Sequence, residues 1–233
     1  MRIAIISDIH SNLAALERVL EVAENMSVET VHCLGDIVGY GAHPNECVAL
    51  VRSHCSIVIR GNHDSGAIGE LSLNHFNPYG KSAIRWTHKH LSKENAGFLR
   101  HLPLVATMDT MTLAHASVPE PDGWRYVVTW DEARRCFTGF TSAACFIGHT
   151  HIPVVVSEDG QVNSYKPGKR HIINVGSVGQ PRDGNPRASF ALYDTDNGGL
   201  EILRVPYDVE RSAKAIFAAR LPDYLAQRLF VGM

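Results

Sequence analysis

Apolar runs too short to be helices recur along this chain, and most of its conspicuous polar motifs directly follow one. Residues 2–6 are apolar and β-branched, and Asp8-Ile9-His10 comes next. Residues 30–34 end in Gly35-Asp36, 56–59 lead into Gly61-Asn62-His63-Asp64, and 143–147 into Gly148-His149-Thr150-His151. Runs of this length and composition read as buried strands. After the first, Ser11 and Asn12 offer N-cap side chains. Leu13, Leu16, Val19, Leu20 and Ala23 then recur at helical spacing, so a helix lays one face on the sheet. Pro44 suits the first position of a second helix running to about Ser53. Strand, polar loop, helix, strand is the pattern of a parallel sheet with crossover helices. Ligands of such sheets bind beyond the carboxyl ends of the strands, where the first three motifs fall.

The rest of the chain reads differently. Residues 78–101 are rich in Lys, His and Arg and form one or two solvent-facing helices, the second starting near Ser92 and Glu94. Residues 104–108 and 111–116 read as paired strands turning at Asp109-Thr110, the second carrying Ala114-His115. Residues 117–130 have little periodicity and read as a loop near the site. Residues 154–157, 172–175, 189–194 and 200–205 alternate between turn residues and read as mostly antiparallel sheet. Residues 208–229 read as helix broken near Pro222. One domain is expected over 1–233, with a core to about 206 and a helical tail over 207–233.

Composition narrows the function classes. Hydrophobic residues make up 45% and charged residues 20%, which is a globular balance. The net charge of -2 lacks the basic excess of a nucleic-acid binder. Five cysteines without a CxxC pair argue for a reducing cytoplasm and against a thiolate zinc site. No signal-peptide pattern or spanning apolar run is present. Self-association through the tail stays open.

Together the five motifs hold two carboxylates suited to metal, Asp8 and Asp36, besides Asp64, a carboxamide, four His suited to metal and one further His. In an extended segment residues two apart face the same way, so Asp8 and His10 can share an ion, as can His149 and His151. Oxygen plus imidazole donors suit manganese first, with iron, zinc, nickel or cobalt as alternatives. Asp36 could bridge two ions. Two divalent cations exceed two carboxylates by two positive charges, which favours an anionic phosphate ester, and a bridging water becomes a nucleophile near neutral pH. Any one motif alone reads equally well as a turn or a surface cluster.

The ordered set Asp8-Ile9-His10, Gly35-Asp36, Gly61-Asn62-His63-Asp64, His115 and Gly148-His149-Thr150-His151 resembles the calcineurin-like metallophosphoesterase superfamily. The length and the Asn174-Val175-Gly176-Ser177-Val178-Gly179-Gln180-Pro181-Arg182 stretch resemble its small bacterial and archaeal branch of YfcE-like phosphodiesterases and some dinucleoside polyphosphate hydrolases. The likeness covers about residues 1–195, with Val175 where many relatives have Pro. It implies an α/β fold, a four-layer α/β/β/α sandwich of two mixed sheets flanked by helices. It implies that Asp8, His10 and His151 hold one metal, that Asn62, His115 and His149 hold the second, and that Asp36 bridges them. His63 would protonate the leaving oxygen, and Asp64 would orient His63.

The implied enzyme is a phosphohydrolase of small phosphate esters, most simply a phosphodiesterase. A dinucleoside polyphosphate hydrolase is the alternative, and a protein phosphatase, a nuclease or a non-catalytic scaffold rank below. Substrate selection falls to residues outside the motifs. The amides of Gly176, Ser177 and Gly179 could approach a phosphate or simply form a turn. Arg182 and Arg187 could offer forked donors, or pair with Asp183. Tyr40 could touch substrate or pack. Trp124, Tyr126 and Trp130 could form an aromatic wall, or core and lid packing.

Overall fold

The computed structural model describes residues 1–108 and 110–233. Its elements in chain order begin with β1 (Arg2–Ile6), α1 (Leu13–Asn25), β2 (Thr30–Cys33), α2 (Pro44–His54), β3 (Cys55–Val58) and α3 (Asn62–Ala67). Next come α4 (Pro78–His90), α5 (Lys93–Arg100), β4 (Val105–Thr107), β5 (Met111–Ala114), α6 (Trp130–Cys136) and β6 (Ala144–Ile147). β7 (Val154–Ser157), β8 (His171–Asn174), β9 (Ala188–Asp194), β10 (Gly199–Val205), α7 (Val209–Ala218) and α8 (Asp223–Gln227) complete the chain.

Two five-stranded mixed sheets form, ordered β10-β9-β1-β2-β3 and β4-β5-β6-β8-β7. Their alternation shows why they stack. In β1, Ile3 and Ile5 point into the core between the sheets, while Ala4 and Ile6 point to the core under α1 and α2. In β6, Ala144 and Phe146 face the inter-sheet core, while Cys145 and Ile147 meet Ala133 and Cys136 of α6. Both faces of each central strand are therefore apolar, and the layers run helix, sheet, sheet, helix.

The parallel strands β1, β2 and β3 deliver the first three motifs to one edge of the first sheet. The parallel strands β5 and β6 deliver His115 and the 148–151 loop to the facing edge of the second. Asn12 caps α1 by accepting from the Ala15 amide, and Ser92 caps α5. The hairpin β4–β5 is antiparallel; its expected turn at Asp109 lies outside the described residues. The 154–205 strands pair mostly antiparallel, as expected, but are divided between the two sheets. β7 and β8 join the second sheet, with β8 parallel to β6, whereas β9 and β10 join the first. Alternation reports which face is buried and not which neighbour a strand pairs with. α6, which follows the segment expected to be loop and shares only Trp130 with it, is a short helix with a Thr129–Glu132 capping box. The tail breaks at Pro222 into α7 and α8, whose Ile216 and Leu225 pack, with Leu229 just beyond α8, against Tyr40 and Ala83.

Candidate metal centre

The two carboxylates are held alike. Asp8 Oδ2 accepts the His149 amide at 2.9 Å, and Asp36 Oδ1 accepts the His63 amide at 2.8 Å. Each acid thereby keeps one oxygen turned inward. Asp8 Oδ1 is buried with no hydrogen-bond partner among the described residues. Gly148 and Gly61 permit this closeness, since a Cβ at either would overlap the carboxylate it faces.

The imidazoles are held by main-chain carbonyls. His10 Nδ1 donates to Val38 O at 3.2 Å and His151 Nδ1 to Gln180 O. His115 Nδ1 donates to Leu34 O at 2.9 Å, and His149 Nε2 to Trp124 O at 3.0 Å. A carbonyl only accepts, so each neutral ring presents a bare lone pair on its other nitrogen. Those lone pairs converge. His10 Nε2 and His151 Nε2 lie 3.1 Å apart, with Asp8 Oδ1 3.2 Å from the latter. His115 Nε2 lies 3.2 Å from His149 Nδ1, 3.2 Å from Asn62 Oδ1 and 3.3 Å from Asp36 Oδ2. The same Asp36 oxygen is 3.7 Å from His10 Nε2, so it stands between the two groups. Acceptors brought this close in a buried site repel unless a cation sits among them. The donor set fits divalent metal.

Electrostatics agree with that fit. Burial pushes His149 down to about 3 and His10 well below its ordinary value. For His115, burial is outweighed by Asp36 and Asp8, which raise it to about 9. A proton there satisfies the carboxylates where a metal would.

Extended geometry predicts that Asp8 pairs with His10, and His149 with His151. The chain is not extended there. Asp8, His10, Asp36, His149 and His151 all have positive φ, between 51 and 68°. These left-handed kinks cost energy for non-glycine residues and concentrate at the site. As a result Asp8 and His10 still meet, but His149 and His151 part: His151 joins Asp8 and His10, and His149 joins Asp36 and His115.

His63 faces the same cleft, its ring against His10, Tyr40 and Phe76 at centroid distances of 4.5–5.0 Å. Burial holds it down to about 4. Asp64 does not orient it. Its carboxylate accepts the Val38 and Gly61 amides at 3.1 and 3.0 Å, because adjacent helical residues point to different faces. His63 Nδ1 has no partner among the described residues. Asp64 instead ties α3 to the loop after Asp36.

The cleft beside the metal groups has a volume of about 600 Å³. Tyr40 and Arg182 line it, as expected of substrate contacts, and so do Trp124 and Tyr126. Tyr126 stacks on His149 at 4.2 Å. Trp130 starts α6 instead. Gly176 and Ser177 do not line the cleft. Ser177 Oγ donates to Asp8 O and accepts the Gln180 amide, and the Val178 and Gly179 amides bond Ser7 O and Asp8 O. The Val178 and Gly179 amides are thus occupied in shaping the Asp8 kink, and the Gly176 amide donates to Asn174 Oδ1. Arg187 is exposed and its guanidinium bonds Asn185, while Asp183 pairs with Arg204. Leu71, Phe76 and Asn77 form a wall that no sequence signal marks. The carbonyls of Val38, Leu34, Trp124 and Gln180 carry no side-chain signature at all.

The sequence profile of the calcineurin-like phosphoesterase superfamily domain matches residues 1–198. The uncharacterized protein MJ0912 of Methanocaldococcus jannaschii is 43% identical over 240 residues, spanning 99% of this chain and 98% of its own. Phosphodiesterase YfcE of Escherichia coli is 27% identical over 206 residues, 84% of this chain and 89% of its own. A crystal structure of a metallophosphoesterase from Sphaerobacter thermophilus superposes with a TM-score of 0.90 at 40% identity, covering 100% of this chain and 99% of that one. The profile, the two-sheet fold and its likeness to a solved metallophosphoesterase agree, and the chain belongs to the calcineurin-like phosphoesterase superfamily, a metal-dependent family of phosphoric ester hydrolases.

Proposed function

We propose that the protein is a dinuclear phosphodiesterase acting on a small phosphate ester, folded as one domain with its tail included. The convergence of four imidazole lone pairs and two inward carboxylate oxygens on one buried spot carries this reading. Asp8, His10 and His151 would hold one ion, Asn62, His115 and His149 the other, with Asp36 shared; manganese is the first candidate. When bound, such a pair acidifies a water and offsets charge on phosphoryl oxygens.

The remaining chemistry belongs to the chain. His63 borders the cleft as a neutral ring, kept so by burial and by the charge of Arg182. A phosphate anion seated beside it stabilises the imidazolium, so the substrate's own charge raises the ring's affinity for a proton. His63 then gives that proton to the departing ester oxygen. Tyr40, Phe76 and Asp36 fix the ring's place. The cleft, about 600 Å³ and lined by Leu71, Phe76, Trp124 and Tyr126 among others, leaves room for both substituents of a diester.

Loading with Mn, Ni, Co, Fe, Zn or Mg in turn, with a panel of mono- and diesters, tests the reading. Metal-dependent hydrolysis with diesters preferred is expected. Hydrolysis of monoesters alone, or of nothing with any metal, would overturn it.

A further inference from the structure

Tyr40, Phe76, Trp124 and Tyr126 all line the cleft, and they differ in what covers them. Tyr40 is buried, its ring against those of His10 and His63. Phe76 is half-buried in an edge-to-face contact with His63, and Trp124 is half-buried in a looser one with His115. Tyr126 is 49% exposed. One face of its ring stacks on His149, with centroids 4.2 Å apart and planes 20° from parallel. Exposure of that size leaves the other face open to the cleft.

The packing of this segment is done by the neighbours of Tyr126. Val127 is buried in one cluster with Ala133 and Cys136 of α6. The Arg125 carbonyl accepts the Ser117 amide at 3.3 Å, and the Trp124 carbonyl accepts from His149 Nε2 at 3.0 Å. Trp124 is left-handed, at a φ of 49°, which costs energy for a bulky residue and persists only where the surroundings fix it. The backbone on either side of Tyr126 is thus pinned, while half of the ring faces solvent. His149 behind it is pinned as well, through its amide on Asp8 Oδ2. A ring presented on so fixed a support loses little freedom when a second ring stacks on it. Its backing is also a member of the donor set, so a substituent resting on Tyr126 belongs to the phosphate that this set attracts.

We propose that the open face of Tyr126 is a stacking platform for a planar ring carried by the phosphate ester, a nucleobase or an aryl group, so that the enzyme prefers such esters to saturated ones. This rests on the phosphoesterase reading for what holds the phosphate. Stacking requires a π face and no particular ring edge, so it separates flat substituents from saturated ones and tolerates different bases.

The test compares two pairs of monoesters as inhibitors of bis-para-nitrophenyl phosphate hydrolysis by the Mn-loaded protein. AMP and ribose 5-phosphate differ in the base, and phenyl phosphate and cyclohexyl phosphate in the flatness of the ring. In the unaltered protein the planar member should inhibit about tenfold more tightly in at least one pair, an added ~1.4 kcal/mol, and the pair with the larger ratio names the kind of ring. Tyr126→Leu keeps apolar bulk without a π face and should bring that ratio near one. Tyr126→Phe keeps the face and should keep the ratio. Metal content and thermal unfolding establish that each variant is folded with its donor set intact. Equal inhibition within both pairs in the unaltered protein would overturn the proposal, whatever the variants do. An undiminished ratio in Tyr126→Leu, or its loss in Tyr126→Phe, would overturn it too. If the protein hydrolysed no diester, the proposed function would fall, yet calorimetric binding of the same four compounds to the Mn-loaded protein would still decide the role of Tyr126.

Discussion

The metal groups and the cleft wall sit side by side and are built by opposite rules. Every metal-facing imidazole is tied through its second nitrogen to a main-chain carbonyl, and each inward carboxylate through its second oxygen to a main-chain amide. Most of those anchors lie in the segments that follow strands of the two packed sheets, and Trp124 alone belongs to the wall. The wall comes from Tyr40, the loop before α4, the 122–126 segment and Arg182, and its side chains lean mainly on one another. Tyr126 is half exposed and Arg182 has only Gln180 and Tyr40 as partners among the described residues. Rigid donors suit a fixed constellation of charges. A wall of leaning aromatics and arginines can change with substrate while the chemistry behind it stays the same.

Substitutions at the two regions should therefore fail differently. The largest loss is expected for Asp36→Ala, the carboxylate shared by both donor groups. Activity should drop by more than about a hundredfold, beyond the effect of losing an outer partner of a ligand, and metal analysis should show reduced loading. Next comes His63→Ala, which should keep metal and lose about 10²–10⁴-fold in turnover on a diester with a poor leaving group. On an aryl diester the loss should be much smaller, because a nitrophenolate departs without a proton. Equal losses on both substrates would remove the proton-donor role. Smaller again is Arg182→Ala in the wall, with KM raised about tenfold, or ~1.4 kcal/mol of lost binding, and metal content unchanged.

Acid should act on the metal-free protein through the same buried rings. His63, held to about 4, and His149, held to about 3, have folded values below the ordinary 6.5. His10 and His151 are lowered in the same way. The unfolded chain therefore takes up these protons first, and stability is lost as pH falls from 6.5 toward 3. Each tenfold difference in proton affinity between the folded and unfolded chain is worth ~1.4 kcal/mol at most. His115, raised to about 9, contributes a constant amount across that window. Asp64, raised to about 7 by burial and Asp36, opposes the trend between 7 and its ordinary 3.8, but it is one group against four. Urea unfolding at pH 7 and pH 4.5 should show the lower stability at 4.5. A flat profile would mean the rings are less desolvated than they look.

The same division governs how much the sequence revealed. The candidate ligand side chains were legible because metal chemistry requires particular residue types, and those types stood at the ends of recognisable strands. The layer order was not legible in β7 to β10, since alternation in 154–157 or 200–205 says which face is buried and leaves the partner strand open. Asp64 suggested a partner for the adjacent His63, while helix geometry turned it onto two amides. Ser177 reads from the sequence as a phosphate loop or as a plain turn, and it holds the Asp8 kink. Phe76 could not be found, because nothing local marks a residue that reaches the cleft from a distant part of the chain.

Two cations held by seven side chains are the centre of the proposed chemistry. Elemental analysis of protein reloaded with manganese, alongside anomalous diffraction at the metal edge, would count and locate them. Two ions per chain are predicted, one among Asp8, His10 and His151 and one among Asn62, His115 and His149, with Asp36 touching both. A fully active protein that saturates with a single ion, or holds its ions away from these residues, would contradict it.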